Sequence, residues 1–592
     1  MKNFYKKTIF WIGIISVCVA IVDVCNENFL DSFYESLRLI TANHQFEDGD
    51  KLDKYCIVRF FRFPLLALFL LFTFRLFLAI LAPKWWQIIK QYFPCSERYL
   101  FVGAGEQAKI LANNLKGKGC RSIFLVSKKE ENNNALFEEL IDIGAIVLYV
   151  NFEDGIKFPR KINKFFFVEE DENFNMEMSD RLFEQLKHKI SKKEINIYVK
   201  TESEQFYFYI ENQLKENHEN CKNIEFRIFN QSDLTARLFI KENPMLKSPN
   251  IEIDHKKLLV KGEFNVLFLG FGWQGQELLK KCVCDSQFLG STFKATIIDR
   301  DFETHYGDYF VLFDECIKHY NLQFKSETIG SKAFYEWINV EICKFNRIII
   351  ALGNDNINID IAEKITKILH KQGKFDTQNI IFARVQQLES YSCNFTTFGK
   401  LTDIYTKDII VNEIEDEIAK MVNYVYIRDD EPLFKEFTKT DRENIIGEWK
   451  KTSLFNKDSS RAVARNIENL MKIADKNILE LNDEELNAEE LNIIAENEHL
   501  RWNAFHFVMG ICEWKLDEIN TENAKFKDNH GNLLKHGCLV PFSELDNVSA
   551  KVNEIKEQQG KIGNEDYVKK DRRIVRHFPL FLKEVRLKNK NQ

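Results

Sequence analysis

The chain has 592 residues, enough for three or four domains at the usual size of about 150 residues. Its formal net charge is −7, from 82 Lys and Arg against 89 Asp and Glu, so no overall basic field is present and we predict no nucleic-acid partner. Thirteen cysteines are scattered without a CxxC pair, which predicts reduced, mostly buried thiols and no zinc site.

Two strongly apolar runs lie near the N-terminus. The first covers residues 8–22 and reaches about 20 residues with its flanks, enough to cross a bilayer, although a signal peptide is an alternative for this run. The second covers residues 57–83 and precedes Lys84, Trp85 and Trp86, which are typical of a membrane interface. We predict a two-span membrane domain over residues 1–95, with the lipid bilayer as a partner.

The orientation of these spans follows from charge. The segment between them, residues 23–54, carries eight acidic and three basic side chains, whereas both outer flanks are basic. Basic flanks stay on the cytoplasmic side, so both termini are expected in the cytoplasm of a cell inner or plasma membrane.

The segment between the spans has the outline of a pore loop. DSFYESLRLITANHQ, beginning at Asp31, has apolar residues at helical spacing, but ANHQFEDGD follows where a potassium filter would have paired glycines. Arg59, Arg62 and Arg75 of the second run also disfavour a cation pore. A non-selective pore, an anion pore and no pore all stay open.

A first nucleotide-binding pattern begins at Arg98. RYLFVGAGEQAKILANNL predicts a strand, a GxGxxA loop at Gly103, Gly105 and Ala108, and a helix, the arrangement that brings a pyrophosphate to a helix N-terminus. The next strand, residues 122–126, ends at Ser127 and Lys128 without the expected carboxylate. This site is either adapted to a phosphorylated ligand or has lost its nucleotide, and loss is slightly favoured.

A second copy begins at Phe264 and is more complete. FNVLFLGFGWQGQELLKKC has Gly270, Gly272 and Gly275 in GxGxxG register, and the next strand ends on Asp299, 24 residues after Gly275. We predict nucleotide binding at this loop, with Asp299 on the ribose hydroxyls. The alternative is a scaffold with an empty pocket that serves dimerisation.

The two copies also agree downstream, which indicates an internal repeat. FFFVEEDENFN from Phe165 and IIIALGNDNIN from Ile348 each place a polar turn after an apolar strand, with Glu172 matching Asp355 and Asn175 matching Asn358. Such a turn faces the nucleotide crevice of a doubly wound sheet, so Asp355 is a predicted cofactor-binding residue. Helix capping is the alternative role for these side chains.

These glycine loops and DNxN-type turns resemble the RCK or TrkA-N domains that regulate potassium channels and transporters, over about residues 98–430. The resemblance implies two such domains, at 96–245 and 246–435, with NAD(H) or another adenine nucleotide as cofactor. It also implies pairing into a homo-oligomer, a dimer or a tetramer.

The last third, 436–592, contains AENEHLRWNAFHFVMGICEW from Ala495, then CLVPFSEL and DRRIVRHFP. These segments resemble the bacterial form of the ryanodine receptor repeat, which implies binding of a small ligand or a partner. Its tentative ligand-binding residues here are Glu498, His499, Arg501 and Trp502. His499 has no partner at helical spacing, so no metal site is predicted.

The expected fold class is therefore α/β, with two tandem Rossmann-like doubly wound parallel-sheet domains between two transmembrane helices and a mainly α-helical RyR-type domain. The expected function is a membrane-embedded, nucleotide-regulated channel-like or ion-transport regulatory protein. A non-conducting membrane sensor or adaptor, or a nucleotide-triggered membrane effector of a defence system, is the alternative. An NAD-dependent oxidoreductase fits less well because no catalytic domain is evident, so we predict no enzyme and assign no catalytic residue.

Overall fold

The computed structural model describes residues 95–590 except for gaps at 118, 154–157, 159–161, 188–193, 218–220, 222, 301, 388–393, 430–431, 477–485 and 530. Both predicted membrane spans lie in residues 1–94, outside the described residues. Across the described ranges, no helix combines the length and apolar character needed to cross a bilayer, and no cluster of His, Cys, Asp and Glu is arranged to hold a metal ion. Within the described ranges the chain forms two compact units, 95–185 with 194–197, and 186–187 with 198–590.

The first α/β region contains a six-stranded sheet. Its strands are β1 (Glu97–Val102), β2 (Cys120–Ser127), β3 (Ile146–Val150), β4 (Lys164–Phe167), β5 (Ile195–Lys200) and β6 (Ile224–Phe229). The helices between them are α1 (Glu106–Asn114), α2 (Asn134–Asp142), α3 (Glu172–Leu186) and α4 (Glu204–Glu216). The strand order is β3-β2-β1-β4-β5-β6, and β1 pairs in parallel with β2 and β4. This is the doubly wound order that the first glycine pattern predicts.

The second α/β region has a seven-stranded sheet. Its strands are β7 (Glu252–Asp254), β8 (Leu259–Leu269), β9 (Ser291–Asp299), β10 (Leu322–Ser326), β11 (Arg347–Ile350), β12 (Ile381–Arg384) and β13 (Thr396–Phe398). Its path is β10-β9-β8-β11-β12-β13, with β7 pairing antiparallel to the start of β8. The C-terminal half of β8 and the strands β11 and β12 are mostly apolar and buried, as expected for a parallel sheet that is covered on both faces.

Helices cover this second sheet. They are α5 (Gln231–Glu242), α6 (Trp273–Cys284), α7 (Phe302–His305), α8 (Gly307–Leu312), α9 (Asp314–His319), α10 (Lys332–Glu341), α11 (Asp355–Lys371) and α12 (Leu401–Ile404). α11 shows why they form here: Asn354 accepts a hydrogen bond from the Ile357 N–H as the N-cap, at 3.1 Å. Its buried face, which includes Ala362, Ile365 and Leu369, repeats at the helical spacing of three to four residues.

The rest of the chain is mainly helical. Its helices are α13 (Glu417–Tyr426), α14 (Lys439–Lys451), α15 (Leu454–Ile473), α16 (Ala488–Val508), α17 (Leu545–Gln558), α18 (Tyr567–Arg576) and α19 (Phe578–Lys590), and a small sheet has the order β14 (Cys512–Glu513), β16 (Leu533–His536), β15 (Lys525–Lys527). Buried residues of α6, α15 and α16 belong to one hydrophobic cluster. The second α/β region and the helical region therefore share a core, which crosses the predicted boundary at residue 435.

A buried carboxylate joins two of these helices. Asp416 accepts a hydrogen bond from Arg237 of α5 at 2.7 Å and from Arg461 of α15 at 2.5 Å, and all three side chains are largely buried. The two guanidinium groups hold the pKa of Asp416 well below its usual range, although burial acts in the opposite direction. Arg237 also pairs with Asp233 at 3.0 Å and Arg461 with Asp458 at 2.8 Å, so removal of Asp416 would leave each buried cation with one carboxylate fewer. The shared carboxylate thus helps to fix α15 beside α5.

Candidate functional site

The first glycine loop is occupied by the protein itself. The loop begins directly after β1 at Gly103, whose φ of +94° requires glycine, and Gly105 forms the N-cap of α1. The Gly105 N–H donates a hydrogen bond of 2.6 Å to the Oε1 atom of Glu169. A Cβ at Gly103 would overlap the same carboxyl group, and a Cβ at Gly105 would lie 2.7 Å from its Oε2 atom. A carboxylate therefore lies where a phosphate would bind.

The side chain of Asn175 holds the backbone of Glu169 in this position. The Glu169 N–H donates to the Oδ1 atom of Asn175 at 2.9 Å, and the Glu169 carbonyl oxygen accepts from the Asn175 Nδ2 atom at 2.9 Å. Asn175 is fully buried, and the predicted loop residue Ala108 is fully buried below the loop. This arrangement favours the alternative in which the first site has lost its nucleotide.

The second glycine loop is open. Gly270 has a φ of +101°, and a Cβ there would lie 2.5 Å from the carbonyl oxygen of Ala351, so glycine is needed for the turn and for the approach to β11. A Cβ at Gly275 would overlap the carbonyl oxygen of Gly270, whereas a Cβ at Gly272 would have no atom within 4 Å. Gly272 is the N-cap of α6, and no side chain caps this helix. The amides of its first turn therefore face a space that an anion can enter.

Asp299 lies at the end of β9, where the dinucleotide pattern places it. Its Oδ2 atom accepts from the Phe271 N–H at 2.6 Å, and its Oδ1 atom accepts from the Arg300 N–H at 2.6 Å. The half-buried carboxylate thus fixes the backbone of the glycine loop. Each oxygen has a second lone pair, which leaves capacity for the hydroxyl groups of a ribose.

An aromatic cluster supports the loop from below. Phe271 is completely buried, and its ring contacts Phe302, Tyr306, Tyr309 and Phe324 at centroid distances between 5.0 and 5.7 Å. Mostly edge-on contacts of this kind hold a ring in one orientation. The loop is therefore rigid on its inner side and open on its outer side.

Asp355 serves the backbone at the end of a neighbouring strand. Its carboxylate accepts from the N–H groups of Gln386 and Gln387 at 2.9 to 3.0 Å. Asn358 accepts from the Leu352 N–H at 2.8 Å and donates to the Arg384 carbonyl oxygen at 2.9 Å. The repeated turn thus ties strand ends together at the edge where the crevice lies, and Asn354, not Asp355, caps the helix.

The EHLRW residues are closed upon one another in α16. Arg501 and Glu498 form a bidentate ion pair at 2.7 to 3.0 Å, and both side chains have at most 1% of their surface exposed. The ring nitrogens of His499 contact Asp571 at 3.0 Å and the Val540 carbonyl oxygen at 2.8 Å. Only Trp502 is half-buried. These contacts favour a structural role for the motif over the predicted ligand contact.

A large cleft, which no sequence pattern indicates, adjoins the second glycine loop. It has a volume of about 1040 Å³ and is lined by residues of α5, α6, α8, α15 and α16, including Gly272 and Trp273. The signal in the sequence is weak because the walls come from several separate segments between Thr201 and Met509. Of these walls, the sequence shows only that α6 and α15 each have an apolar face and a polar face.

No protein-family description matches the sequence, and no curated protein matches it.

Proposed function

We propose that the protein is a nucleotide-regulated membrane protein, whose second glycine loop binds NAD(H) or another adenine nucleotide. One observation carries the proposal: Gly272 faces open space, whereas Gly105 in the matching loop faces the carboxylate of Glu169. An anion is therefore repelled at the first loop and accepted at the second. Asp299 supplies the carboxylate that a ribose needs.

Regulation is proposed because of where α6 lies. The helix begins at the open loop, and its buried residues Leu278 and Cys282 belong to the core shared with α15 and α16. A ligand that binds one arrangement of the loop and α6 more tightly than another shifts the populations of the conformations of the helical region. The apolar runs of residues 8–22 and 57–83 are the proposed membrane element that this region influences, either as a channel-like pore or as an ion-transport regulator.

The binding step is tested by titration calorimetry of the full-length protein, purified in a mild detergent, against NAD, NADH, AMP and ATP. Gly272→Asp should abolish binding because its carboxylate would repel the phosphates, while the open space around this position lets the fold accept it. Gly447→Asp is the matched control, since a Cβ there also has no atom within 4 Å. Unchanged affinity in Gly272→Asp would place the nucleotide elsewhere.

The effect of nucleotide binding on the membrane element is tested by measuring ion flux through liposomes that contain the protein, with and without the nucleotide that binds. Flux that changes with the nucleotide, and that no longer changes in Gly272→Asp, supports the channel-like function. Nucleotide binding with no flux supports the non-conducting sensor or adaptor, which the missing TVGYG-like filter favours. Turnover of NADH with candidate substrates would contradict both.

A further inference from the structure

The cleft beside the second glycine loop follows one face of α6. Its lining residues on this helix are spaced by three or four positions: Trp273, Gln276, Glu277, Lys280, Lys281 and Cys284. From Gly272 to Cys284 the helix rises by about 18 Å, at 1.5 Å per residue. The cleft thus begins at the open loop and extends along α6. It is long enough to hold a phosphate group together with a further part of the ligand.

The facing wall belongs to the helical region. Leu454, Asp458, Arg461, Ala462 and Arg465 of α15 line the cleft, again at a spacing of three or four residues. A ligand that extends from the loop into the cleft therefore contacts α6 on one side and α15 on the other.

The charges inside the cleft are balanced. Five Lys and Arg side chains line it against six Asp and Glu side chains. Lys281 is paired with Asp233 at 2.7 Å and with Glu277 at 2.8 Å. Arg461 is paired with Asp458 at 2.8 Å. A lining without net positive charge gives no advantage to further phosphates, but its carboxylates and cations offer hydrogen bonds to a neutral polar group.

Aromatic rings complete the lining. Trp273 is the first residue of α6 and is 66% exposed beside the loop, and Tyr207, Tyr306 and Phe313 line the cleft. An exposed indole next to a phosphate-binding turn provides a flat surface on which a base can stack. Paired charges together with aromatic faces are the chemistry that recognises a nucleoside.

We propose that the second nucleoside of a dinucleotide enters this cleft, so that the pyrophosphate lies on the loop amides, the first ribose lies at Asp299, and the second base and ribose lie between α6 and α15. This assignment rests on the proposed nucleotide site. It adds a physical route by which ligand binding changes the conformation of the helical region. Contacts to α15 exist only when the second nucleoside is present, which gives the ligand unequal affinity for arrangements that differ in the position of α15.

The test compares NAD, which carries a second nucleoside, with AMP, whose single ribose lies at Asp299, and with pyrophosphate, which reaches only the loop. Leu454→Trp fills the cleft, and Glu468→Trp places the same side chain on an exposed position of α15 outside the cleft. Calorimetry of the full-length protein should show NAD affinity falling at least tenfold in Leu454→Trp and staying within twofold in Glu468→Trp. AMP and pyrophosphate affinities should stay within twofold in both variants.

Hydrogen exchange supplies a second readout that does not depend on a variant. NAD should slow amide exchange in residues 454–465 of the unaltered protein, and pyrophosphate should not. Wild-type affinity for NAD in Leu454→Trp, equal loss of NAD and pyrophosphate, or no protection of residues 454–465 would each overturn the cleft assignment while the loop site stands. Absence of any nucleotide binding by the unaltered protein would instead overturn the proposed function.

Discussion

The Oε1 atom of Glu169 accepts a hydrogen bond from the backbone N–H of Gly105 across 2.6 Å, in the loop where a nucleotide would place its phosphate. The two α/β copies differ at this position by one side chain. Counting from Asn175 and Asn358, which match in the repeat, Glu169 corresponds to Leu352. The Cδ2 atom of Leu352 lies 3.2 Å from the place of a Cβ on Gly270, so an apolar side chain borders the second loop where a carboxylate fills the first.

Replacement of Glu169 by Leu should make the first loop resemble the second. The Gly105 N–H loses a charge-assisted hydrogen bond, so the unfolding free energy should fall by about 1–3 kcal/mol. The comparison uses two proteins that both carry Gly272→Asp, which blocks the second loop. Millimolar pyrophosphate should raise the melting temperature of the protein that also carries Glu169→Leu, and should leave the melting temperature of the protein that keeps Glu169 unchanged. Differential scanning calorimetry measures both values. Equal responses of the two proteins would show that Glu169 does not keep anions from the first loop.

Two glycines of the second loop should separate binding from stability. Gly272→Ala adds a methyl group in open space, so stability should change by less than about 0.5 kcal/mol while nucleotide affinity falls. Gly275→Ala forces a Cβ against the Gly270 carbonyl oxygen and should destabilise the fold by about 1–3 kcal/mol. Urea unfolding and calorimetry on both variants check this. The idea fails if Gly272→Ala binds nucleotide normally or if Gly275→Ala is as stable as the unaltered protein.

How much of this site the sequence predicts differs from residue to residue. Gly270, Gly272, Gly275 and Asp299 were predictable because spacing alone places a turn, a helix start and the end of an adjacent strand. The occupation of the first loop by Glu169 was not, because it depends on a contact between residues 64 positions apart. The repeat does carry a signal, since it places a glutamate opposite a leucine, but composition alone does not tell which way a side chain points.

Asp355 and the EHLRW motif illustrate a second limit. The position of Asp355 in the crevice edge follows from the repeat, but its carboxylate is directed by the amides of Gln386 and Gln387, which only the folded sheet brings near. Glu498 and Arg501 are three residues apart in a helix, a spacing that indicates an ion pair. Whether such a pair is exposed to a ligand or buried in a core depends on packing by distant segments.

The buried pair of Glu498 and Arg501 should behave as a structural unit. Glu498→Ala leaves the Arg501 guanidinium buried without its partner, so the unfolding free energy should fall by about 3–5 kcal/mol. A double variant, Glu498→Leu with Arg501→Met, removes both charges and should recover most of that loss. Urea unfolding of the single and double variants measures the coupling. A loss below 1 kcal/mol in Glu498→Ala would leave room for a ligand-binding role instead.

His506 should make stability depend on pH. The ring is buried against Trp502, with ring centroids 3.8 Å apart, and its Nδ1 atom lies 2.9 Å from the Trp502 carbonyl oxygen. Burial lowers the pKa of His506 to about 3, with smaller contributions from Arg501 and Lys525. Between the ordinary histidine pKa of about 6.5 and this value, the unfolded chain binds a proton that the folded chain does not.

The contribution of His506 is therefore fully present above pH 6.5 and is lost as the pH falls, by up to about 1.4 kcal/mol per pH unit. His506→Asn keeps a donor near the Trp502 carbonyl oxygen but does not titrate in this range. We expect the variant to be less stable than the unaltered protein at pH 7.5 because it loses ring packing. The difference between the unfolding free energies of the two proteins should narrow by about 2 kcal/mol at pH 5. Urea unfolding at the two pH values measures this difference. If it is the same at both, His506 takes up a proton in the folded protein as readily as in the unfolded chain.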